Sequence, residues 1–139
     1  MPHAKVEELK SAGDRWPCVG DAYLCEHWGD FEVALTTTPG PLDAAQNYID
    51  GGSAGGVCPC PHYGYVFEGT MRAKYPNTGK PDDVVKAGEV YYIPAGHILS
   101  YDEASRVLEF NPAAALKDCM DAMQRAADKR AAATAAESA

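Results

Sequence analysis

"GVCPCPHYGYVFEG", residues 56–69, sets three soft metal donors, Cys58, Cys60 and His62, at alternate positions just ahead of "YVFEG", a run with the composition of a buried strand. Side chains alternate across an extended chain, so the three share one face if the segment is extended. Pro59 and Pro61 cannot donate to a sheet ladder, which places the segment at an edge or just before the regular strand, near the mouth of a barrel. A mouth is where a ligand site can sit.

Working outward, "TMRAKYP", "VVKAGEVYYIPAGH" and "RVLEFNP" follow as short strand-like runs separated by Gly, Pro and Asn. Upstream, "DAYLCEHW" and "FEVALTTT" read as two strands joined by a turn at Gly29 and Asp30. The stretch between them and the motif is a loop, in which "LDAAQNYI" suits a helical turn. Strands without alternating helices point to an all-β sandwich or barrel rather than a parallel α/β sheet.

The ends differ from the middle. Val6 and Leu9 in "HAKVEELKSAG" fall at helical spacing, which predicts a short N-terminal helix in an arm over residues 1–20. Residues 21–112 form the β unit. Residues 113–139 are rich in helix formers, with Leu116, Met120, Met123 and Ala127 on one stripe, and predict a docked helix that frays into a disordered tail.

"PHYGYVFEG" followed past a hairpin by "AGEVYYIPAGH" resembles the small single-domain cupins, jelly-roll β-barrels that commonly hold a divalent metal. The first cupin motif is G-x5-H-x-H-x3,4-E-x6-G and the second G-x5-P-x-G-x2-H-x3-N. With Gly69 as the closing glycine, His62 takes the glutamate slot, Cys58 the second-histidine slot and Gly56 the first-histidine slot, while Cys60 has none. Gly88, Pro94 and Gly96 fit the second motif, whose histidine and asparagine slots hold Leu99 and Glu103. His97 stands two residues ahead of its slot, one strand period. The resemblance spans roughly Asp21 to Pro112 and implies a double-stranded β-helix with a variant Cys/His site.

Cys58, Cys60, His62 and His97 make a two-Cys, two-His set of the kind that binds zinc, with iron or copper as alternatives. Alternate strand positions lie about 6.5 to 7 Å apart, wide for three ligands on one ion unless the proline segment bends. Cys60, His62 and His97 are therefore the favoured trio, with Cys58 as fourth ligand or redox partner. The bland readings are buried apolar cysteines, an adventitious Cys-x-Cys disulfide and core histidines. Glu109, interrupting "RVLEF", is a candidate general acid or base if it faces the lumen, and a surface residue if it does not. His27 could line the same pocket. Tyr65, Tyr91 and Tyr92 read as core or interface, and Cys18, Cys25 and Cys119 as packing.

Twenty acidic against twelve basic residues give a formal charge of -8, with no basic cluster to follow a phosphate backbone. Nucleic acid and anionic membranes are thereby discounted as partners. The charged N-terminus and the lack of a long apolar run predict a cytoplasmic protein, and an odd count of five cysteines argues against a disulfide framework. Three functions compete: a metal enzyme acting on a small organic molecule, a non-catalytic metal or ligand sensor, and a homodimeric scaffold with an empty site.

Overall fold

The computed structural model describes residues 2–138. Nine strands follow one another from Tyr23: β1 (Tyr23–Trp28), β2 (Phe31–Thr38), β3 (Leu42–Asp43), β4 (His62–Glu68), β5 (Thr70–Lys74), β6 (Asp83–Lys86), β7 (Val90–Ile93), β8 (Ile98–Tyr101) and β9 (Ser105–Pro112). Helix α1 (Ala45–Asp50) lies in the loop before β4, and α2 (Ala113–Glu137) closes the chain.

The strands form two antiparallel sheets, one of order β1-β2-β9-β4-β7 and one of order β3-β8-β5-β6. Period-two alternation gives each sheet an inward row. Val66, Val107 and Ile93 from the first sheet meet Met71, Ala73, Val85, Leu99 and Tyr101 from the second in one buried cluster. A second cluster fills the other end, where Tyr23, Cys25, Ala34, Cys58 and Cys60 pack against Tyr48 of α1 and Leu116, Cys119 and Met120 of α2. This second cluster surrounds the cysteine-histidine motif.

The N-terminal segment departs from expectation. Instead of a helix it makes short 3-10 turns at Val6–Glu8, Ala12–Asp14 and Gly20–Ala22. The reason is tertiary: Cys25 N–H donates to the Lys10 carbonyl at 2.7 Å, and Ser11 pairs with Leu24, so the edge strand β1 holds this stretch extended. Leu9 still buries and Val6 does so in part, but against Leu24, Val33, Leu35 and Leu108 on the outer face of the sheet. The expected disordered tail is helical through Glu137, as its alanine-rich composition favours. The buried stripe of α2 is also rotated from the predicted one, with Cys119, Ala122 and Ala126 inside beside Leu116 and Met120.

Helix α2 approaches α1 at Gly51, where an added methyl would overlap the Ala122 carbonyl. Arg125 Nε donates to the Gly51 carbonyl at 2.8 Å and Trp16 Nε1 to Asp121 Oδ1 at 2.9 Å, fastening the helix on two sides. Gly51→Ala is expected to lower stability by about 1–3 kcal/mol through overpacking, read as a lower thermal midpoint. No helix among the described residues is long and apolar enough to cross a membrane.

Candidate metal centre

Cys58 lies ahead of the regular strand, as its proline neighbours require, and pairs instead with the turn before β8. Its N–H donates to the His97 carbonyl at 2.8 Å, and Gly96 N–H donates to the Cys58 carbonyl at 2.8 Å. This bridge sets His97 beside Cys58. The chain then bends through Pro59-Cys60-Pro61, so that His62 at the start of β4 returns to the same spot, its Nε2 3.6 Å from Cys58 Sγ.

The result is a group of three donors, Cys58, His62 and His97, whose ligating atoms all lie within 4.8 Å of one another. Cys58 and His97 are fully buried and His62 is 3% exposed. The two imidazole rings share one environment, with centroids 4.9 Å apart.

The bend brings Cys58, rather than Cys60, into the group of mutually close donors. Cys58 joins the group because the segment is not extended, so the wide spacing of a straight strand does not apply. Cys60 is buried nearby, but its Sγ donates to the Pro61 carbonyl at 3.1 Å, and its N–H donates to Cys58 Sγ at 3.4 Å. The motif thus reads as a cysteine and a histidine four residues apart, with Cys60 supporting the sulfur of Cys58.

Hydrogen bonding aims the imidazoles. His97 Nδ1 lies 2.7 Å from the Pro94 carbonyl and can only donate to it, which leaves Nε2 as the ring's lone-pair nitrogen when neutral. That Nε2 is buried without a hydrogen-bond partner. An orphaned buried nitrogen beside a thiol and a second imidazole is a polar group that calls for a partner. His62 Nδ1 lies 2.7 Å from Asn111 Oδ1, and Glu109 Oε1 stands 3.4 Å from the same nitrogen. Outer partners of this kind hold a ligating histidine in one tautomer and one orientation.

Glu109 therefore faces the interior. Its second oxygen accepts from Tyr91 Oη at 2.6 Å, and Asn111 Nδ2 donates to its first at 3.2 Å. Tyr91, Gly64 and Glu109 sit at one register on β7, β4 and β9. A Cβ on residue 64 would lie 2.6 Å from the Tyr91 hydroxyl, so glycine there lets the phenol cross a whole strand to reach the carboxylate.

The electrostatics separate the groups. Cys58 is held far below the ordinary thiol range, first by its hydrogen bond with Cys119 and then by its contact with His62, against the opposing effect of burial. Burial alone would depress His62, but the Glu109 charge and the Cys58 and Cys60 sulfurs outweigh it and push its pKa well above the usual value. Burial raises Cys60.

His27 lies elsewhere. Its side chain is 58% exposed and 3.4 Å from Glu32, on a surface cavity of about 770 Å³ that Arg15, Trp16 and Lys117 also line. Tyr65 and Tyr92 point to the outer face of the sheet, whereas Tyr91 points in. Sequence reading missed Asn111 and the proximity of Cys119 Sγ to Cys58 Sγ, 3.4 Å across the interior. The buried stripe of α2 carried a usable signal, since Cys119 falls three residues after Leu116.

No protein-family model matches the chain, and no curated protein does. Among solved structures, a protein of unknown function from Rhizobium leguminosarum is 15% identical, with 80% of this chain and 95% of that one covered at a TM-score of 0.50. A cupin-2 domain containing protein from Shewanella frigidimarina is 20% identical, with 63% and 74% covered at 0.41. Structural neighbours thus include a cupin. The polyketide cyclase RemF from Streptomyces resistomycificus is 18% identical, with 81% and 79% covered at 0.46. The likeness to these neighbours, cupin included, is one of fold alone.

Proposed function

We propose that this chain is a cupin-type metal-binding protein whose two sheets close into a jelly-roll barrel around a divalent ion held by Cys58, His62 and His97. Zinc fits the thiolate and imidazole donors best. The observation that carries the reading is the orphaned Nε2 of His97, fully buried and within ligating range of Cys58 and His62. The ion's role is to be held rather than to turn over substrate, because all three donors are buried and Cys58 packs against Tyr48 of α1 and Leu116, Cys119 and Met120 of α2. A reducing compartment such as the cytoplasm suits a centre built on free thiols.

The test is elemental analysis of protein purified without added metal and again after zinc loading and desalting. One zinc per chain is the expected result; retention of none after loading sinks the proposal.

A second reading, an enzyme acting on a small organic molecule, is favoured by the three-donor count, which leaves a coordination position for water or substrate. Glu109, beside His62 and bonded to Tyr91, is then the candidate proton carrier. A zinc-bound water in the loaded protein supports this reading, and a shell made only of protein atoms removes it.

We also propose a homodimer paired through the five-stranded sheet. On its outer face Tyr63 and Tyr92 stack at 4.9 Å, with Phe110 and Val90, the last 80% exposed, in adjoining rows. Contiguous apolar surface of this kind favours association. Tyr92→Glu is expected to convert a dimer to a monomer in light scattering after size exclusion, and a monomeric parent protein would refute the pairing.

A further inference from the structure

Cys119 belongs to α2 and is separated from Cys58 by sixty-one positions in sequence, yet the two sulfurs lie 3.4 Å apart in the interior. This distance is far too long for a disulfide, whose sulfurs stand about 2.05 Å apart. It is close to the edge of a zinc tetrahedron: with zinc–sulfur bonds near 2.3 Å, two thiolates on one ion sit about 3.8 Å apart. Both cysteines are buried, Cys58 fully and Cys119 at 6% exposure.

Three donors leave a tetrahedral site one short. The space beside Cys58 on the α2 side is filled by Cys119, packed among Tyr48, Cys60, Leu116 and Met120. A water or substrate taking the last position there would have to displace buried side chains, whereas the Cys119 sulfur is already in contact with the first ligand. The orphaned Nε2 of His97 lies within 4.8 Å of the Cys58 sulfur that Cys119 touches, so Cys119 would complete the site by a short shift of its side chain toward the imidazoles. Cys60 also lies beside His62, but its Sγ donates to the Pro61 carbonyl and it is absent from the group of mutually close donors.

We infer that Cys119 is the fourth ligand, so that the loaded centre is a closed Cys58-His62-His97-Cys119 site that fastens the C-terminal helix to the sheets. The inference rests on the metal-binding reading above and goes further, because it makes the ion a cross-link between β4, the turn before β8, and α2. Loading then changes how firmly α2 is held.

X-ray absorption at the zinc edge of the loaded full-length protein counts sulfur neighbours. Two sulfurs and two nitrogens are expected in the parent, falling to one sulfur in Cys119→Ser and remaining at two in Cys60→Ser. Hydrogen exchange gives a second readout: zinc should slow exchange along α2 around residue 119 in the parent and leave it unchanged in Cys119→Ala. One sulfur in the parent overturns the inference whatever the variants do, as does a second sulfur lost in Cys60→Ser but kept in Cys119→Ser. If the parent takes up no zinc, the metal-binding reading itself fails, an outcome distinct from either of these.

Discussion

Replacing Cys58 by serine is expected to strip the protein of its metal. Cys58 supplies the sulfur donor of the group, its thiol held far below the ordinary range first by the hydrogen bond with Cys119 and then by His62. A serine hydroxyl at the same place stays protonated and is a poor ligand for a borderline-soft ion. Changing an outer partner of a metal site costs roughly 10–100-fold in affinity, and loss of a direct ligand should exceed that. Competition with a chelating indicator measures the change, and retention of near-parental affinity would show that Cys58 is no ligand. Asn111→Ala, which frees His62 Nδ1 from a 2.7 Å hydrogen bond, should fall within the outer-partner range.

The second large effect is with pH. Because His62 is pushed well above its ordinary value, its imidazole carries a proton that must leave before Nε2 can bind an ion. Below the raised pKa each binding event displaces that proton, so affinity should climb about tenfold for every unit of rising pH and level off above it. Cys58, lowered far below neutrality, adds no proton of its own across this range. A thiol that joins the shell from its protonated form adds a second and steepens the slope. Zinc titrations at several pH values, or proton release into a weakly buffered indicator, give the count; a flat dependence between pH 5 and 8 would contradict the assigned charge state.

Much of this architecture was legible from residue pattern. Strand runs bounded by Gly, Pro and Asn marked the β unit between Tyr23 and Pro112, and the two proline positions correctly put Cys58 and Cys60 ahead of the regular strand. Only coordinates could show how that segment bends, because a proline fixes φ but not where the chain goes next. The wide spacing of an extended strand therefore favoured Cys60 over Cys58, whereas the bent segment and its bridge to His97 bring the Cys58 sulfur close to both imidazoles. Cys119 was hidden for a different reason: a cysteine on the buried stripe of a helix looks like any small apolar residue until its neighbour is known. The N-terminal arm went astray because Val6 and Leu9 satisfy helical spacing equally well when they pack as isolated turns on a sheet.

Pro59 and Pro61, flanking Cys60 between the first two donors, carry a thermodynamic consequence. Each removes backbone freedom from the unfolded chain, so less disorder is lost when the loop is fixed in the native fold. The donors are thus pre-organised by folding itself, through the strand at His62 and the bridge at His97, before any ion arrives. Unlike small zinc domains that exist as folded structures only when loaded, the proposed centre would receive an ion into a finished cradle, and the energy of coordination would be free to appear as affinity instead of being consumed in ordering the chain.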